Sequence, residues 1–374
     1  MDGLEMSAPV ILCINPGSTS TKVAVFRGEE ELFSQDVRHP KEELAARPRV
    51  GDQMELRLRA IEAELEARMG ADFRPDAVSG RGGLLAPLPG GVYGVSQRML
   101  DDLARAEHGE HPCNLGAPLA LHFARASGCP AYVVDPPVTD ELSDVARMTG
   151  LKRIKRRSVF HALSQRAAAR RAAGMLGLDY ETGKFVVAHL GGGVTVGAHL
   201  RGKVRDVTNG VDGEGPMSAE RSGTLPCFSL LDEVAAGADP RELRRELLTH
   251  GGLYAHTGTN DLREIEARAF PQDGSAGDET ARSALHALVY SVCKYIGGMA
   301  ATLFDADEAP VGAVVLTGGM IKSAWLAGEI TRRVRWIAPV VALPEVEEMR
   351  ALAQGALLAL RGEVPVKTYG HGAE

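Results

Sequence analysis

Residues 9–27 read PVILCINPGSTSTKVAVFR. An apolar run from Val10 to Ile14 meets Asn15, Pro16 and Gly17. Four small hydroxyl residues, Ser18 to Thr21, and Lys22 follow, and then a second apolar run, Val23 to Phe26. Two half-buried strands with a Gly-containing turn between them make a β-hairpin. The turn carries an amide, hydroxyls and a lysine, groups that suit phosphate oxygens and a hydrated divalent cation. It is not a Walker A loop, because no second glycine precedes the lysine and a strand rather than a helix follows.

The layout returns at 184–207, KFVVAHLGGGVTVGAHLRGKVRDV, which reads as strand, Gly turn, strand, turn, strand. Residues 31–37 give the first hairpin a matching third strand. Two such units in one chain predict two domains of common topology, each opening on a phosphate-facing hairpin. Around them the chain alternates strands and helices. Helical spacing predicts helices over 52–70, 99–105, 115–126, 160–175, 283–303 and 347–361, and from Asp261 onward. Short apolar runs predict strands over 76–83, 131–135, 311–319 and 334–341. The 283–303 helix is mostly apolar and reads as core, with an interface as the alternative.

The chain has 374 residues, 44% hydrophobic and 24% charged, with a net charge of −7 and a pI near 5.9. That balance predicts a globular chain of two or three domains and argues against nucleic acid as the main partner. No apolar run approaches the roughly 20 residues of a membrane span. The first ten residues lack the basic and apolar regions of a signal peptide. Five scattered cysteines, Cys13, Cys113, Cys129, Cys227 and Cys293, fit reduced thiols in a cytoplasmic protein.

Four Gly-containing loops each follow a strand: 15–22, 191–193, 318–319 and, more loosely, 82–83. Glycine lets backbone approach phosphate closely and expose successive N–H groups, so together the loops suggest amides converging on a polyphosphate. A Rossmann dinucleotide site is disfavoured, because HLGGGVTVGA lacks G-x-G-x-x-G and leads into a strand. Arg81 and Arg221 sit in Gly-rich loops, where a guanidinium can fork onto a carboxylate or phosphate or simply face solvent. His161 reads as a core, cap or functional histidine, and Asp135 at a strand end is equally open. The basic run KRIKRR within 147–157 is a solvated connector or an anion patch. His108 and His111 have a spacing that a metal pair could use, in a loop where a plain loop reading is simpler.

The blocks NPGSTSTK, GRGG, EHPCNLG, VDPPVTDEL, FHALSQ, AHLGGGVTVGAH, DGEGPMSAERSGTLP, TGTNDLRE and VLTGGM occur in an order that resembles the butyrate kinases. These are short-chain carboxylate kinases of the acetate kinase family, within the acetate/sugar kinase–heat-shock protein–actin superfamily. The resemblance covers roughly 10–360. It implies an α/β chain with duplicated actin-like (βββαβαβα, ribonuclease H-like) domains and a nucleotide cleft between them. They would be an N-terminal domain over 1–155 plus 349–374 and a C-terminal nucleotide-binding domain over 156–348. It further implies a cytoplasmic homodimer or higher homo-oligomer.

The resemblance implies reversible phosphoryl transfer from ATP to the carboxylate of butanoate, with Mg²⁺, giving butanoyl phosphate and ADP. Asn15 matches a position that helps hold magnesium, and Ser18, Ser20 and Lys22 belong to the same phosphate loop. Arg81 matches the arginine that grips the substrate carboxylate, Asp135 an acid that orients an arginine, His161 the transition-state histidine and Arg221 the second catalytic arginine. Glu347 matches the magnesium-linked glutamate, with Glu348 the alternative. His189, Gly191, Gly192 and Gly193, then Asp261, Leu262 and Arg263, then Gly318, Gly319 and Met320 match nucleotide-contacting loops. Transfer would be direct and in line, and a carboxylate nucleophile, whose pKa is roughly 4, needs no general base at neutral pH.

Acetate kinases resemble NAGSSSLK where this chain has NPGSTSTK, and RVVHGG where it has a shorter Arg81-Gly82-Gly83. They have an LHNP-like block at 112–115 and Pro-Leu-Glu-Gly at 212–215, where this chain has PCNL and DGEG. These departures predict a wider acyl pocket for four- or five-carbon acids, straight or branched, with 2-methylpropanoate the alternative substrate. A hydroxyl kinase on the same fold would ordinarily carry an aspartate base. A non-enzymatic actin-like ATP switch would need neither arginine.

Overall fold

The structure, a computed structural model, describes residues 8–304, 309–344 and 348–370. The chain divides into two compact units, Met1–Thr139 with Glu347–Glu374 and Asp140–Val346. Each is built on its own sheet.

In the first unit, β1 (Val10–Pro16), β2 (Ser20–Arg27) and β3 (Glu30–Arg38) form an antiparallel meander. β4 (Ala77–Gly80) runs parallel to β1, and β6 (Ala131–Val134) parallel to β4. β5 (Val92–Gly94) and β12 (Val366–Thr368) complete a seven-stranded sheet in the order β12-β5-β6-β4-β1-β2-β3. Ile11 to Ile14 and Val23 to Phe26 are fully buried. Each such aliphatic side chain contributes about 1.5–3 kcal/mol on removal from water.

The Met54–Met69 helix buries Arg57, Leu58, Ile61 and Leu65, one face at helical spacing, and stops at Gly70, whose φ of 85° ends the turn. The chain returns to this unit in the Glu348–Leu360 helix. Gly355 there lets the helix lie on β6, since a Cβ would stand 2.6 Å from the Val134 side chain.

The second unit repeats the plan. β7 (Lys184–Leu190), β8 (Val194–Leu200) and β9 (Lys203–Val207) form the meander. β10 (Ala313–Thr317) and β11 (Val340–Leu343) follow in parallel, giving the order β11-β10-β7-β8-β9. The Glu279–Thr302 helix buries Ala281, Ala284, Leu285, Leu288, Val289, Val292, Ile296 and Met299 in the main core, as the core reading of this segment expects. The Ala162–Met175 helix packs its alanines Ala168, Ala169, Ala172 and Ala173 with Phe185, Val187, Ala313 and Val315 of β7 and β10. Among the described residues no helix is long and apolar enough to cross a membrane.

Two boundaries differ from the sequence reading. The second unit begins at Asp140 rather than 156, because residues 140–157 are bonded to later segments of that unit. Ser143 donates its N–H to the Arg205 carbonyl at 3.0 Å, Glu141 pairs with Arg166 at 3.0 Å, and Arg156 pairs with Asp206 at 2.8 Å and Glu214 at 3.0 Å. The strand expected over 334–341 starts only at Val340. The Ala324–Val334 helix consumes the first residue of that run, and Pro339 keeps the backbone before it out of the ladder.

Candidate active site

In the first unit the β1–β2 turn is closed by the Gly17 N–H donating to the Ser20 carbonyl at 2.8 Å, and Asn15 pairs with Lys22 across the ladder. Ser18 is exposed, while Ser20 and Lys22 are half-buried. Asn15 donates from Nδ2 to Glu348 Oε2 at 2.7 Å, and the other oxygen of that carboxylate lies 2.7 Å from Arg81 Nη1. Arg81 is buried, and its N–H donates to the Ile14 carbonyl at 2.8 Å, so β1 carries both Asn15 and the anchor for Arg81. Glu348 sits in the first turn of its helix, where the macrodipole favours a carboxylate. Glu347 lies outside the described residues; its alternative, Glu348, is the acid that joins Asn15 and Arg81.

The backbone around Arg81 depends on glycine. A Cβ at Gly116 would lie 2.0 Å from the Arg81 carbonyl oxygen, and one at Gly83 would lie 2.6 Å from Asn114. Asn114 fixes the following loop, accepting the Leu84 N–H at 2.9 Å and donating to the Gly109 carbonyl at 3.0 Å. His111 caps the short helical turn at Pro112–Leu115: its Nδ1 accepts the Cys113 N–H at 3.2 Å and lies 3.0 Å from Cys113 Sγ. That employment favours the plain reading of the His108/His111 pair. Burial pushes the Cys113 thiol up to about 11, so it stays protonated near neutral pH. Asp135 follows β6 with a φ of 38°, and its carboxylate accepts the Gly91 N–H at 2.8 Å.

In the second unit several expected residues come together. The Gly191 N–H donates to the Gly193 carbonyl at 3.1 Å, a tight turn at the β7–β8 junction. A Cβ at Gly193 would lie 2.8 Å from Arg221 Nη1, so glycine lets the guanidinium lie against this turn. Ser218 holds the approach. Its hydroxyl donates to the Gly192 carbonyl at 2.5 Å and accepts the Arg221 N–H at 3.0 Å. Arg221 Nε is buried and, among the described residues, has no hydrogen-bond partner, and burial draws the guanidinium pKa down while Glu220 opposes the shift. An unspent buried donor beside a turn whose Gly192 is exposed is an arrangement for an anionic oxygen.

His161 occupies the N-cap position of the Ala162–Met175 helix. Its Nδ1 lies 2.9 Å from Thr195 Oγ1, and its ring stacks on His189 at 3.9 Å between centroids and 15° between planes. Gly318, at a φ of 96°, brings the end of β10 against β7; a Cβ there would lie 2.3 Å from the Leu190 carbonyl oxygen. Met320 is buried in the main core and Leu262 packs partly against it, while Gly319 is exposed. Asp261 caps the Leu262–Ala269 helix by accepting the Arg263 N–H at 2.9 Å, and the Arg263 side chain holds its carboxyl down to about 2. Asn260 beside it donates to Glu220 at 3.2 Å, tying that loop to the neighbour of Arg221. Arg263 itself is exposed.

The basic run has a structural use. Arg156 is bonded to Asp206 and Glu214, and Arg157 to Asp212. Residues that sequence reasoning passed over include Thr195, Gln165, Ser218 and Arg57. Arg57 is fully buried and donates to the Ser20 carbonyl and Thr21 Oγ1, each at 3.0 Å, beneath the first turn. Its spacing of four from Ile61 was the available signal.

A magnesium site would need hard oxygen donors. The Asn15 amide spends its nitrogen on Glu348 and keeps its oxygen, and the Glu348 carboxylate lies beside it, so the donor set fits. Among the described residues no group of three or more His, Cys, Asp and Glu side chains forms a protein-only cage.

Comparison with known proteins agrees across sequence and fold. The model of the acetokinase family matches residues 144–334. A protein of Oleidesulfovibrio alaskensis named probable butyrate kinase is 51% identical over 97% of this chain and 99% of its own. Another so named, from Listeria monocytogenes, is 42% identical over 96% and 99%. The acetate kinase of Porphyromonas gingivalis superposes with a TM-score of 0.72 at 20% identity, covering 94% of this chain and all of that one. A propionate kinase of Francisella tularensis gives 0.66 at 18% identity, covering 93% and 98%. The shared fold is the duplicated α/β plan described above.

Proposed function

We propose, since the chain belongs to the acetokinase family and is a carboxylate kinase, that it moves a phosphoryl group reversibly between ATP and butanoate, giving butanoyl phosphate and ADP. The observation that carries this reading is the 42–51% identity, over nearly the whole chain, to proteins named probable butyrate kinase.

The roles follow the geometry of each unit. Arg81, buried and steered by Glu348, grips the acid's carboxylate, which attacks the γ-phosphorus in line. Arg221, with its unspent Nε, and His161 donate to the phosphoryl oxygens as charge spreads onto them. The turn amides of Gly191–Gly193 and Gly318–Gly319 and the loop at Asp261 receive the nucleotide. Asn15 and Glu348 would hold magnesium, with Ser18, Ser20 and Lys22 lining the same loop. Bound magnesium neutralises charge on the β- and γ-phosphates. Asp135 is a positioning acid held at its strand end by the Gly91 amide. All five cysteines are free, which supports a reducing, cytoplasmic setting.

The test is kcat/KM for acetate, propanoate, butanoate, 2-methylpropanoate and 3-methylbutanoate with Mg-ATP, trapping the acyl phosphate as hydroxamate. Each methylene is worth about 1–3 kcal/mol in an apolar pocket, so an optimum at four carbons is expected as a graded preference. An optimum at acetate would overturn the acyl assignment, and one at the branched acids would move it to a branched-chain kinase.

A further inference from the structure

Behind His161 lies a chain of buried polar groups that the proposed reaction does not use. Thr195 and His199 stand two positions either side of Gly197 on β8, so all three face one way. Into the gap at Gly197 comes the amide of Gln165, from the Ala162–Met175 helix. A Cβ at Gly197 would lie 2.5 Å from Gln165 Oε1 and 3.2 Å from His199 Nε2. The gap is therefore shaped to the amide.

Acceptor-only oxygens determine the direction of the inner bonds. Gln165 Nε2 lies 3.0 Å from the Thr195 carbonyl oxygen, which can only accept, so the amide nitrogen faces Thr195 and the oxygen faces His199. Gln165 Oε1, 3.1 Å from His199 Nε2, can only accept, so His199 carries its proton on Nε2. His199 Nδ1 is then an acceptor and takes the Tyr180 hydroxyl proton at 3.0 Å. Full burial, with Arg166 and Arg170 nearby, holds the His199 pKa well below its ordinary value, so the ring is neutral. At the other end Gln165 Nε2 also donates to Thr195 Oγ1 at 2.9 Å. With one lone pair so engaged, the Thr195 hydroxyl keeps its proton and one lone pair for His161 Nδ1, 2.9 Å away, and the relay takes the orientation in which the hydroxyl donates.

We infer that Tyr180, His199, Gln165 and Thr195 form a one-way hydrogen-bond relay that fixes His161 as its Nε2–H tautomer, a neutral hydrogen-bond donor. The relay members are positioning residues, because they act only through His161. The His189 ring stacked on His161, and Arg166 and Arg170 behind the relay with their partners Glu141 and Glu181, are the titratable and charged groups around the chain. The consequence for catalysis rests on the proposed function: His161 gives the transferring phosphoryl group a hydrogen bond and takes up no proton.

The tautomer is read directly by two-bond ¹H–¹⁵N correlation on protein labelled at histidine, with the His161→Gln and His199→Gln variants assigning the signals. Near neutral pH both His161 and His199 should show a protonated Nε2 and a bare Nδ1. Thr195→Val should turn His161 into a tautomer mixture or reverse it, and Thr195→Ser should restore the wild-type pattern. In acyl-phosphate assays Thr195→Val should lower kcat by about 10-fold with KM for ATP nearly unchanged, the split of a contact used in the transition state. An Nδ1–H or imidazolium pattern for His161 in the wild type, or an unaltered tautomer in Thr195→Val, overturns the relay. Should the expected tautomers appear while no acid yields hydroxamate, the relay stands and the proposed function falls.

Discussion

The two meanders of this molecule are the same object made with different chemistry. In each, three antiparallel strands precede two parallel ones, and the register slips four residues beyond the first paired residue of the second strand, at Val25/Phe26 in β2 and at Ala198/His199 in β8. Each is also propped from beneath by a buried polar side chain on a helix. Under the first turn it is the Arg57 guanidinium, bonded to the Ser20 carbonyl, Thr21 Oγ1 and Gln53 Oε1 and, among the described residues, to no carboxylate. Under the second it is the neutral Gln165 amide. Topology is duplicated because it is set by apolar periodicity, which tolerates many sequences. The props are not duplicated, because each must satisfy the particular polar groups above it.

The turns themselves differ in what they demand of glycine, and this gives the largest expected effect. Gly193→Ala places a methyl 2.8 Å from Arg221 Nη1, whereas a methyl at Gly17 would meet the Ser20 carbonyl at an ordinary 3.4 Å. Displacing a preorganised donor costs about 10²–10³ in kcat. Gly193→Ala should fall in that range and Gly17→Ala should stay within a few-fold of the wild type. Equal losses in the two variants would show that Arg221 does not depend on the second turn.

The first hairpin should instead depend on its acid. Glu348→Ala frees both Asn15 and Arg81, and a supporting group of this kind is worth about 10–100-fold in activity or metal affinity. The expected result is a higher magnesium requirement together with a higher KM for the acid, measured by varying each at saturating ATP. A change in the nucleotide KM alone would remove Glu348 from the acid and magnesium contacts.

Much of this was legible in the chain. The apolar runs at 10–14 and 23–26, and the strand–turn–strand layout over 184–207, gave both hairpins, and Gly17 and Gly191–Gly193 gave their turns. The props were harder to see for a physical reason. In DQMELRLRAIEAELEARM a charged side chain reads as solvent-facing, yet Arg57 shares its helix face with Ile61. Position outranks residue type wherever a carbonyl waits in the core. The relay was hidden likewise: Thr195, Gly197 and His199 alternate on one face, but only the fold brings Gln165 into the gap. The boundary at Asp140 was missed because ion pairs spanning tens of residues leave no local periodicity.

Removing the cation sharpens the contrast between the props. Arg57→Met keeps most of the buried volume but leaves Gln53 Oε1 without its donor and the Ser20 carbonyl with the Gly17 N–H alone, and an orphaned buried acceptor costs about 1–3 kcal/mol. Denaturant unfolding should show a loss of that order. A variant as stable as the wild type would mean that the cost of burying an unpaired guanidinium cancels what its hydrogen bonds contribute.

The smallest effect concerns His39, which completes the first prop. Arg57 donates to Thr21 Oγ1, and the Thr21 hydroxyl in turn faces His39 Nε2 at 2.9 Å. Burial, and then the nearby Arg57 charge, lower the His39 pKa from 6.5 to about 4, with Asp36 opposing. Between those two values the unfolded chain binds the proton and the folded chain does not, so protons favour unfolding there. The contribution is fully present above about 6.5 and is lost as pH falls toward about 4. His39→Gln should flatten the fall in melting temperature across that acid window and leave the neutral plateau nearly in place. His199, on the other meander, is also held neutral, but its relay ends on His161, so a comparable substitution there should register in kcat as well as in the acid limb. A His39→Gln variant that loses activity at neutral pH with its melting curve unchanged would put a catalytic duty on the first prop, and the division between a structural prop and a functional one would have to be redrawn.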